Sequence, residues 1–217
     1  MAIYLQDDFN RTNSTTSPGT PVVGGPYTVL VGTWGINTNQ LYTSASTASS
    51  VITAPAAADI DITATNTVLG ASSQGMLFRV QDATNFWYWG ISSGTVILQK
   101  RTAGVALNYA SVTGGAAGDT FRAVAKGNDI WTFYNGTLFL KVTDPAFNTQ
   151  TKVGFWINSS TAARWDNVLA QDPPTDPTGV DGATATVPTD DDYAATLSSA
   201  ILYKGRDTAA LDAASEA

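Results

Sequence analysis

The chain has 217 residues and a net charge of −7, contains neither cysteine nor histidine, and has Glu216 as its only glutamate. These absences exclude disulfides, zinc–thiolate sites, thiolate nucleophiles and the usual serine–histidine triads. The acidic balance also argues against nucleic acid as a partner, since binding to phosphates requires clustered Lys and Arg. The composition therefore predicts a protein that is not an enzyme.

A change in charge and composition divides the chain near Pro173. Residues 1–170 hold nine Asp and nine Lys or Arg and are neutral overall, so residues 171–217 account for the whole charge of −7. We therefore predict a strand-rich domain over residues 1–172 and an acidic linker and arm over residues 173–217. No segment approaches the roughly 20 apolar residues that span a bilayer, and the first residues do not resemble a secretory signal. We expect no membrane insertion.

Apolar and polar residues alternate with a period of two along the predicted domain, which indicates β-strands. In residues 58–65 the two Ile point to one face of a strand and the two Asp to the other. Residues 75–82 and 85–91 are apolar at nearly every position, so these strands are covered on both faces or line a binding surface. Further strands are predicted over residues 95–101, 105–112, 120–126, 129–134, 138–142, 152–157 and 163–170. Turn residues separate several of them, such as Asn135-Gly136, which suits a type I′ hairpin turn.

About a dozen short strands without a helix predict an all-β fold, in which two antiparallel sheets form a jelly-roll sandwich. The motifs at the two ends of the domain are Asp7-Asp8-Phe9-Asn10-Arg11, Gly32-Thr33-Trp34, Val153-Gly154-Phe155-Trp156 and Trp165-Asp166-Asn167-Val168. Through them, the chain resembles concanavalin-A-like and laminin-G-like jelly rolls over about residues 5–170. The resemblance implies that the first and last strands are neighbours. Lectins, glycanases and scaffolds share this sandwich, so the fold does not fix the function.

The segment from Phe86 to Trp89 is the densest aromatic cluster, and aromatic rings stack on sugars. Alternation places Trp87 and Trp89 in the core and leaves Phe86 and Tyr88 on the opposite face, near Arg79 on the preceding strand. One hypothesis is that Arg79, Phe86 and Tyr88 line a concave carbohydrate-binding surface. The alternative is that both sets of rings pack inside the protein.

Two groups of acidic residues are candidate sites. Asp59 and Asp61 are alternate residues of one strand, about 7 Å apart, a spacing that suits paired catalytic acids. Jelly-roll glycanases place Glu on their catalytic strand, however, so the alternative is a solvent-facing strand edge. The resemblance also implies a calcium ion at Asp7, Asp8 and Asp166, unless one of these Asp caps a turn instead. No other cofactor is expected.

Two segments outside the strands are candidate contact elements. Residues 12–28 are rich in Thr, Ser, Pro and Gly and form a long insertion that is either mobile or contacts a partner. Residues 172–177 predict a stiff, extended linker because consecutive prolines favour polyproline II. Beyond it, Tyr193, Leu197 and Ile201 form the apolar stripe of a short helix, and we expect this arm to dock on a surface.

A neutral β domain with an acidic arm resembles the virion proteins of tailed bacteriophages. This resemblance implies a non-enzymatic structural protein on the surface of a phage particle, a minor tail or decoration subunit anchored through its arm. Its expected partners are other virion proteins and copies of itself, with contact to host-cell glycans as a further expectation. The alternatives are a lectin-like carbohydrate-binding module and a glycan hydrolase that uses Asp pairs.

Overall fold

In a computed structural model of the chain, the described residues are 1–45 and 49–177. They form fifteen strands: β1 (Ile3–Asp7), β2 (Thr28–Val31), β3 (Trp34–Asn37), β4 (Gln40–Thr43), β5 (Ser50–Pro55), β6 (Ile60–Val68), β7 (Ser73–Phe78), β8 (Phe86–Ser92), β9 (Thr95–Thr102), β10 (Val105–Thr113), β11 (Asp119–Lys126), β12 (Asp129–Tyr134), β13 (Thr137–Thr143), β14 (Lys152–Ile157) and β15 (Arg164–Gln171). No helix that is long and apolar enough to cross a membrane occurs in these ranges. The predicted arm residues Tyr193, Leu197 and Ile201 lie outside them.

The strands belong to two antiparallel sheets that face each other. The eight-stranded sheet has the order β13-β12-β11-β6-β15-β4-β3, with β1 paired to β15, and the seven-stranded sheet has the order β10-β9-β8-β7-β14-β5-β2. The predicted all-β sandwich is therefore confirmed. The first and last strands are neighbours, as the jelly-roll resemblance implies, since Asp7 of β1 is paired with Val168 of β15.

The core lies between the two sheets and is rich in aromatic rings. On β8, Trp87 and Trp89 point into it and are fully buried, as the alternation predicts. The ring centroid of Trp165 on β15 is 5.8 Å from that of Phe121 on β11 and 5.4 Å from that of Phe155 on β14. Burial of a side chain of this size contributes roughly 1.5–3 kcal/mol. Because Trp165 and Phe121 belong to one sheet and Phe155 to the other, these contacts hold the two sheets together.

A tight hairpin sets the register at one edge of the eight-stranded sheet. Asn135 and Gly136, between β12 and β13, have φ angles of 49° and 80°, the positive values that a type I′ turn requires. A β-bulge between Thr132 and Phe133 then shifts the pairing by one residue, so that Trp131 of β12 is paired with Lys141 of β13. Because Ile130 of β12 lies in the core, Trp131 and Lys141 point to the outer face of this sheet.

The predicted insertion at residues 12–28 is attached to its own sandwich. Arg11 donates from Nε to the carbonyl of Pro18 at 2.7 Å and from Nη1 to the carbonyl of Thr20 at 2.8 Å. Ser14 exchanges two backbone hydrogen bonds with Ile36 of β3, at 2.8 and 2.9 Å. Neither alternative, a mobile loop or a partner contact, anticipated this attachment.

Contacts with the sandwich continue beyond residue 172, where the sequence predicted the domain to end. The carboxylate of Asp172 accepts hydrogen bonds from the backbone N–H of Ala2 at 2.6 Å and the hydroxyl of Tyr4 at 2.5 Å. Further on, Lys126 Nζ donates to the carbonyl of Thr175 at 3.2 Å, and Pro177 is buried. The first residues of the predicted linker therefore pack on the domain.

Candidate functional site

Three glycines lie on the outer face of the seven-stranded sheet, beside a cluster of buried aromatic and aliphatic side chains. Gly75 of β7 is paired with Gly90 of β8, and Gly154 of β14 lies on the strand next to β7. The ring of Tyr88 approaches this bare backbone closely, since a Cβ atom on Gly75 would lie only 2.2 Å from Tyr88 Cε2. Glycine at position 75 therefore makes room for the ring.

Tyr88 is the lower layer of an aromatic cluster on this face. Its hydroxyl donates to the carbonyls of Gln74 at 2.9 Å and Ile91 at 2.7 Å. The indole of Trp156 packs edge-on against the Tyr88 ring, with 5.3 Å between centroids, and also contacts Phe86. Burial raises the pKa of Tyr88, so its hydroxyl remains a neutral hydrogen-bond donor.

Two polar residues of β9 lie beside this aromatic cluster. The guanidinium carbon of Arg101 is 4.5 Å from the centroid of the Trp156 ring, and its Nη1 donates to the carbonyl of Gly104 at 3.2 Å. Gln99 precedes it by two residues on the same face and is only 8% exposed. Within residues 1–45 and 49–177, neither Arg101 Nε nor Gln99 Oε1 has a hydrogen-bond partner.

These two unpartnered atoms are costly for the fold. A buried donor or acceptor without a partner costs about 1–3 kcal/mol. A ligand that offers both a hydrogen-bond acceptor and a donor would remove this cost. The row continues to the edge of the sheet, since Gln99 is paired with Asn108 of β10, which is exposed. We define Gln99, Arg101, Asn108 and Trp156 as the β9 site.

This arrangement corrects the prediction that Arg79, Phe86 and Tyr88 line a sugar-binding surface. Phe86 and Tyr88 do lie on the outer face of β8, but they are only 1% and 0% exposed because Trp156 packs against them. The alternative, that both sets of rings are packed inside the protein, is confirmed. Arg79 is fully buried elsewhere and donates to the carbonyls of Ala58 at 3.0 Å and Gly127 at 2.7 Å. It connects two loops and does not reach the β9 site.

The predicted acid pair is also divided between different partners. Asp61 is 4% exposed and accepts two hydrogen bonds from Arg122, from Nε at 2.8 Å and Nη2 at 2.9 Å. Asp59, whose side chain is 51% exposed, accepts from the backbone N–H of Gly127 at 2.8 Å and lies 3.5 Å from Arg79 Nη2. The expectation of solvent-facing carboxylates holds for Asp59 and is wrong for Asp61, because Arg122 covers it.

The predicted calcium ligands do not form a donor set. Both carboxylate oxygens of Asp7 already bind Arg11, at 3.0 and 2.5 Å, and Tyr27 donates to one of them at 2.9 Å. Asp8 accepts a hydrogen bond from the backbone N–H of Asn10 at 3.1 Å, which is the turn-capping role. Across the described ranges, no three His, Cys, Asp or Glu side chains gather as metal ligands.

An open depression of about 180 Å³ nevertheless lies beside these acids, lined by Gln6, Asp7, Asp8, Val22, Asn167, Val168 and Leu169. Asp166 lies close enough to Asp7 and Asp8 to feel their charge. Burial raises the pKa of Asp166, and the nearby carboxylates of Asp8 and Asp7 raise it further. No basic side chain lines the depression, although Arg11 pairs with Asp7 at its side.

The sequence reasoning missed all four β9-site residues because it looked for local aromatic density. A usable signal was present in the predicted strand over residues 95–101. Strict alternation there places Gln99 and Arg101 on one face and Leu98 and Lys100 on the other. The partner ring, Trp156, comes from a strand 55 residues later in the chain, and no local pattern predicts that contact.

Solved structures with a similar fold were found, although no model of a known protein family and no curated protein matches the chain. The carbohydrate binding module CBM66 from Bacillus subtilis has a TM-score of 0.59 and 18% identity, covering 67% of this chain and 95% of that one. The exoplasmic/lumenal domain of VIP36 in a Ca²⁺- and mannose-bound form has a TM-score of 0.52 and 9% identity, covering 72% and 85%. A variant of the GH43 protein BlXynB from Bacillus licheniformis has a TM-score of 0.52 and 14% identity, covering 76% and 39%. At these identities the likeness establishes the concanavalin-like β-sandwich fold.

Proposed function

We propose that the described domain is a carbohydrate-binding module and that the β9 site on the outer face of its seven-stranded sheet binds the sugar. The observation that carries this proposal is the pair of unpartnered polar atoms, Gln99 Oε1 and Arg101 Nε, beside the indole of Trp156. A sugar matches this set because one hydroxyl donates to the Gln99 oxygen while a neighbouring oxygen accepts from Arg101. The Trp156 indole is only 4% exposed, so its part in the site is to hold the Arg101 guanidinium in place.

The fold supports the same function. Two of the similar structures are described as a carbohydrate binding module and as a mannose-bound domain, and the present sandwich has the same architecture. The polar row from Arg101 and Gln99 to Asn108 follows the sheet toward its edge strand, so we expect a chain of several sugar units to lie along it.

The hydrogen bonds of Asp59 and Asp61 favour glycan binding over glycan hydrolysis. Asp61 is held by Arg122, and Asp59 by Gly127 and Arg79, so the two carboxylates do not face a common substrate. Display of the module on a phage particle, through an arm over residues 173–217, stays a prediction from the sequence.

A glycan array followed by titration calorimetry tests the proposal. The parent protein should bind a defined set of glycans, and Gln99→Leu should weaken that binding about tenfold, the loss expected for one hydrogen bond to a buried acceptor. Gln171→Leu is the matched control, because Gln171 lies on the outer face of the other sheet, on β15. It should bind like the parent. If the parent binds no glycan, or if both variants bind equally well, the β9 site is not a sugar site.

A further inference from the structure

Cations stacked over aromatic rings occur on both outer faces, and two of those on the eight-stranded sheet are paired with a carboxylate. The Arg122 guanidinium carbon lies 4.8 Å from the centroid of Phe133, and Arg122 binds Asp61 through two hydrogen bonds. Lys141 Nζ lies 5.0 Å from the centroid of Trp131 and 3.1 Å from a carboxylate oxygen of Asp129. In both cases a carboxylate completes the stack.

Apart from Arg101, the cations of the remaining stacks in the described domain also have partners, either a carboxylate or several backbone carbonyls. Lys100, which lies over Trp87, is 2.5 Å from a carboxylate oxygen of Asp144. Arg11 pairs with Asp7 in the same way. Arg164 lacks a carboxylate, but its Nη1 donates to the backbone carbonyls of the three preceding residues, at 2.6, 2.8 and 3.0 Å.

Arg101 is the exception. In the part of the chain that the structure describes, no carboxylate lies within 4.0 Å of Arg101, and its only hydrogen bond is from Nη1 to Gly104. The Nε and Nη2 edge of the guanidinium makes no hydrogen bond in these ranges, although Nε is buried. Arg122 uses the same edge to bind Asp61. Arg101 therefore has the ring and the cation of such a stack without the anion.

We propose that the ligand supplies this anion: the β9 site binds a carboxylated saccharide, whose carboxylate pairs with the Nε and Nη2 edge of Arg101. This inference rests on the proposed carbohydrate-binding function and narrows its ligand class. The guanidinium edge matches the two oxygens of a planar carboxylate, and charge-assisted pairs of this kind are stronger than neutral hydrogen bonds. A hydroxyl on the same sugar then donates to Gln99 Oε1, so one acidic sugar satisfies both atoms.

The charge distribution of the domain agrees with an acidic ligand. Residues 1–170 are neutral overall, and the paired acids Asp61 and Asp129 lie on the opposite sheet, across the core. The acids of the open depression, Asp7, Asp8 and Asp166, are on β1 and β15 or next to them, which also belong to the eight-stranded sheet. These five acids therefore lie away from Arg101. Asp144, next to β9, is paired with Lys100, and no carboxylate of the described residues lies within 4.0 Å of Arg101.

The test compares acidic sugars with their methyl esters, which keep the shape and remove the charge. Oligogalacturonate, oligomannuronate and sialyllactose are titrated into the parent protein beside their carboxyl-methyl esters. At least one acid should bind about tenfold more tightly than its ester, and added salt should weaken only the acid. Arg101→Gln should reduce binding of that acid to the level of the ester. Arg164→Gln, the same change at a stack capped by carbonyls, should leave both affinities unchanged.

The outcomes separate this inference from the proposed function. Neutral glycans or esters that bind as tightly as the acids, with binding lost in Gln99→Leu, would leave a sugar site and overturn the acidic ligand. Absence of binding to acids, esters and neutral glycans alike would overturn both. If Arg101→Gln does not fold, Arg101→Lys replaces it in the test. Lysine keeps the positive charge but lacks the Nε and Nη2 edge of the guanidinium. Arg101→Lys should bind the acid with intermediate affinity, and full affinity in this variant would contradict the paired-edge geometry.

Discussion

The outer faces of the two sheets are built from the same parts and differ in how those parts are satisfied. On the eight-stranded sheet, Arg122 and Lys141 cover aromatic rings and are paired with Asp61 and Asp129. On the seven-stranded sheet, Arg101 covers Trp156 and has no such partner within the described residues. A stable fold does not require unpartnered buried groups, and sites that violate local rules are often functional. This difference is the basis for proposing that the outer face of the seven-stranded sheet binds the ligand.

The largest effect is expected on the structural face. Asp61→Ala removes the carboxylate that holds Arg122, whose side chain is only 26% exposed, and leaves a largely buried cation without a partner. We expect a loss of about 2–3 kcal/mol in the free energy of unfolding, measured by urea denaturation. Sugar binding by the folded fraction should not change, because Asp61 lies on the other sheet.

Asp129→Ala is the control for that substitution. It breaks the pair with Lys141, in which the two side chains are 50% and 32% exposed, so screening by solvent should limit the loss to less than about 1 kcal/mol. Equal losses for the two variants would show that burial does not distinguish the pairs.

Tyr88→Phe tests the role of the Tyr88 hydroxyl in the aromatic cluster on the outer face of the seven-stranded sheet. The change removes the hydroxyl that binds the carbonyls of Gln74 and Ile91 and keeps the ring over Gly75. We expect a loss of about 1–2 kcal/mol in thermal or urea unfolding and unchanged sugar binding. Tyr42→Phe is the control, because the Tyr42 hydroxyl makes no hydrogen bond in the described part of the chain. A Tyr88→Phe protein that is stable yet fails to bind sugar would restore Tyr88 as a ligand contact.

Gln99→Leu should increase stability while it weakens binding. Replacing the unpartnered Oε1 with an apolar group removes a desolvation cost, and we expect a gain of roughly 1 kcal/mol in the free energy of unfolding. Gln74→Leu should have the opposite effect. Its amide is fully used, since Oε1 accepts from Gly70 N–H at 2.5 Å and Nε2 donates to Asn66 at 2.9 Å. Two variants that destabilise the protein equally would mean that Gln99 is satisfied in solution.

The sequence allowed the fold to be predicted well because strand alternation is a local property. The bounds of β12 and β14 agree with the prediction to the residue, and the inward direction of Trp87 and Trp89 is confirmed. The same reasoning found the correct face of β8. It went wrong one step later, because a ring that alternation places outside the core can still be covered by residues from other strands.

The candidate site could not be predicted in this way, because it is formed by contacts between residues far apart in the sequence. Trp156 reaches Tyr88 from β14, and Arg122 reaches Asp61 from a position 61 residues away in the chain. Alternation gives the face on which a side chain lies but not the partner that it meets there. The location of unpartnered atoms such as Gln99 Oε1 follows only from the complete set of contacts, and these come from strand pairings that no local pattern specifies.

The smallest expected effect concerns Asp166, an acid on β15 of the eight-stranded sheet. Burial raises its pKa, as do Asp8 and Asp7, so the folded state disfavours the ionised form. The unfolded chain then releases this proton at lower pH than the folded one, and stability falls as pH rises from the unfolded pKa through the folded pKa. Asp166→Asn removes that penalty. We expect a gain of about 0.5 kcal/mol at neutral pH, after allowance for screening, and none at low pH.

Melting curves across a pH series check both the gain and its sign. Asp82→Asn is the matched control, because hydrogen bonds from the Thr84 backbone and other groups lower the pKa of Asp82. Its stabilising effect is present above the unfolded pKa and is lost as pH falls through the folded pKa, so this variant should melt lower than the parent at neutral pH. Melting that calcium raises in the parent and not in Asp166→Asn would mean that the three carboxylates bind the ion after all.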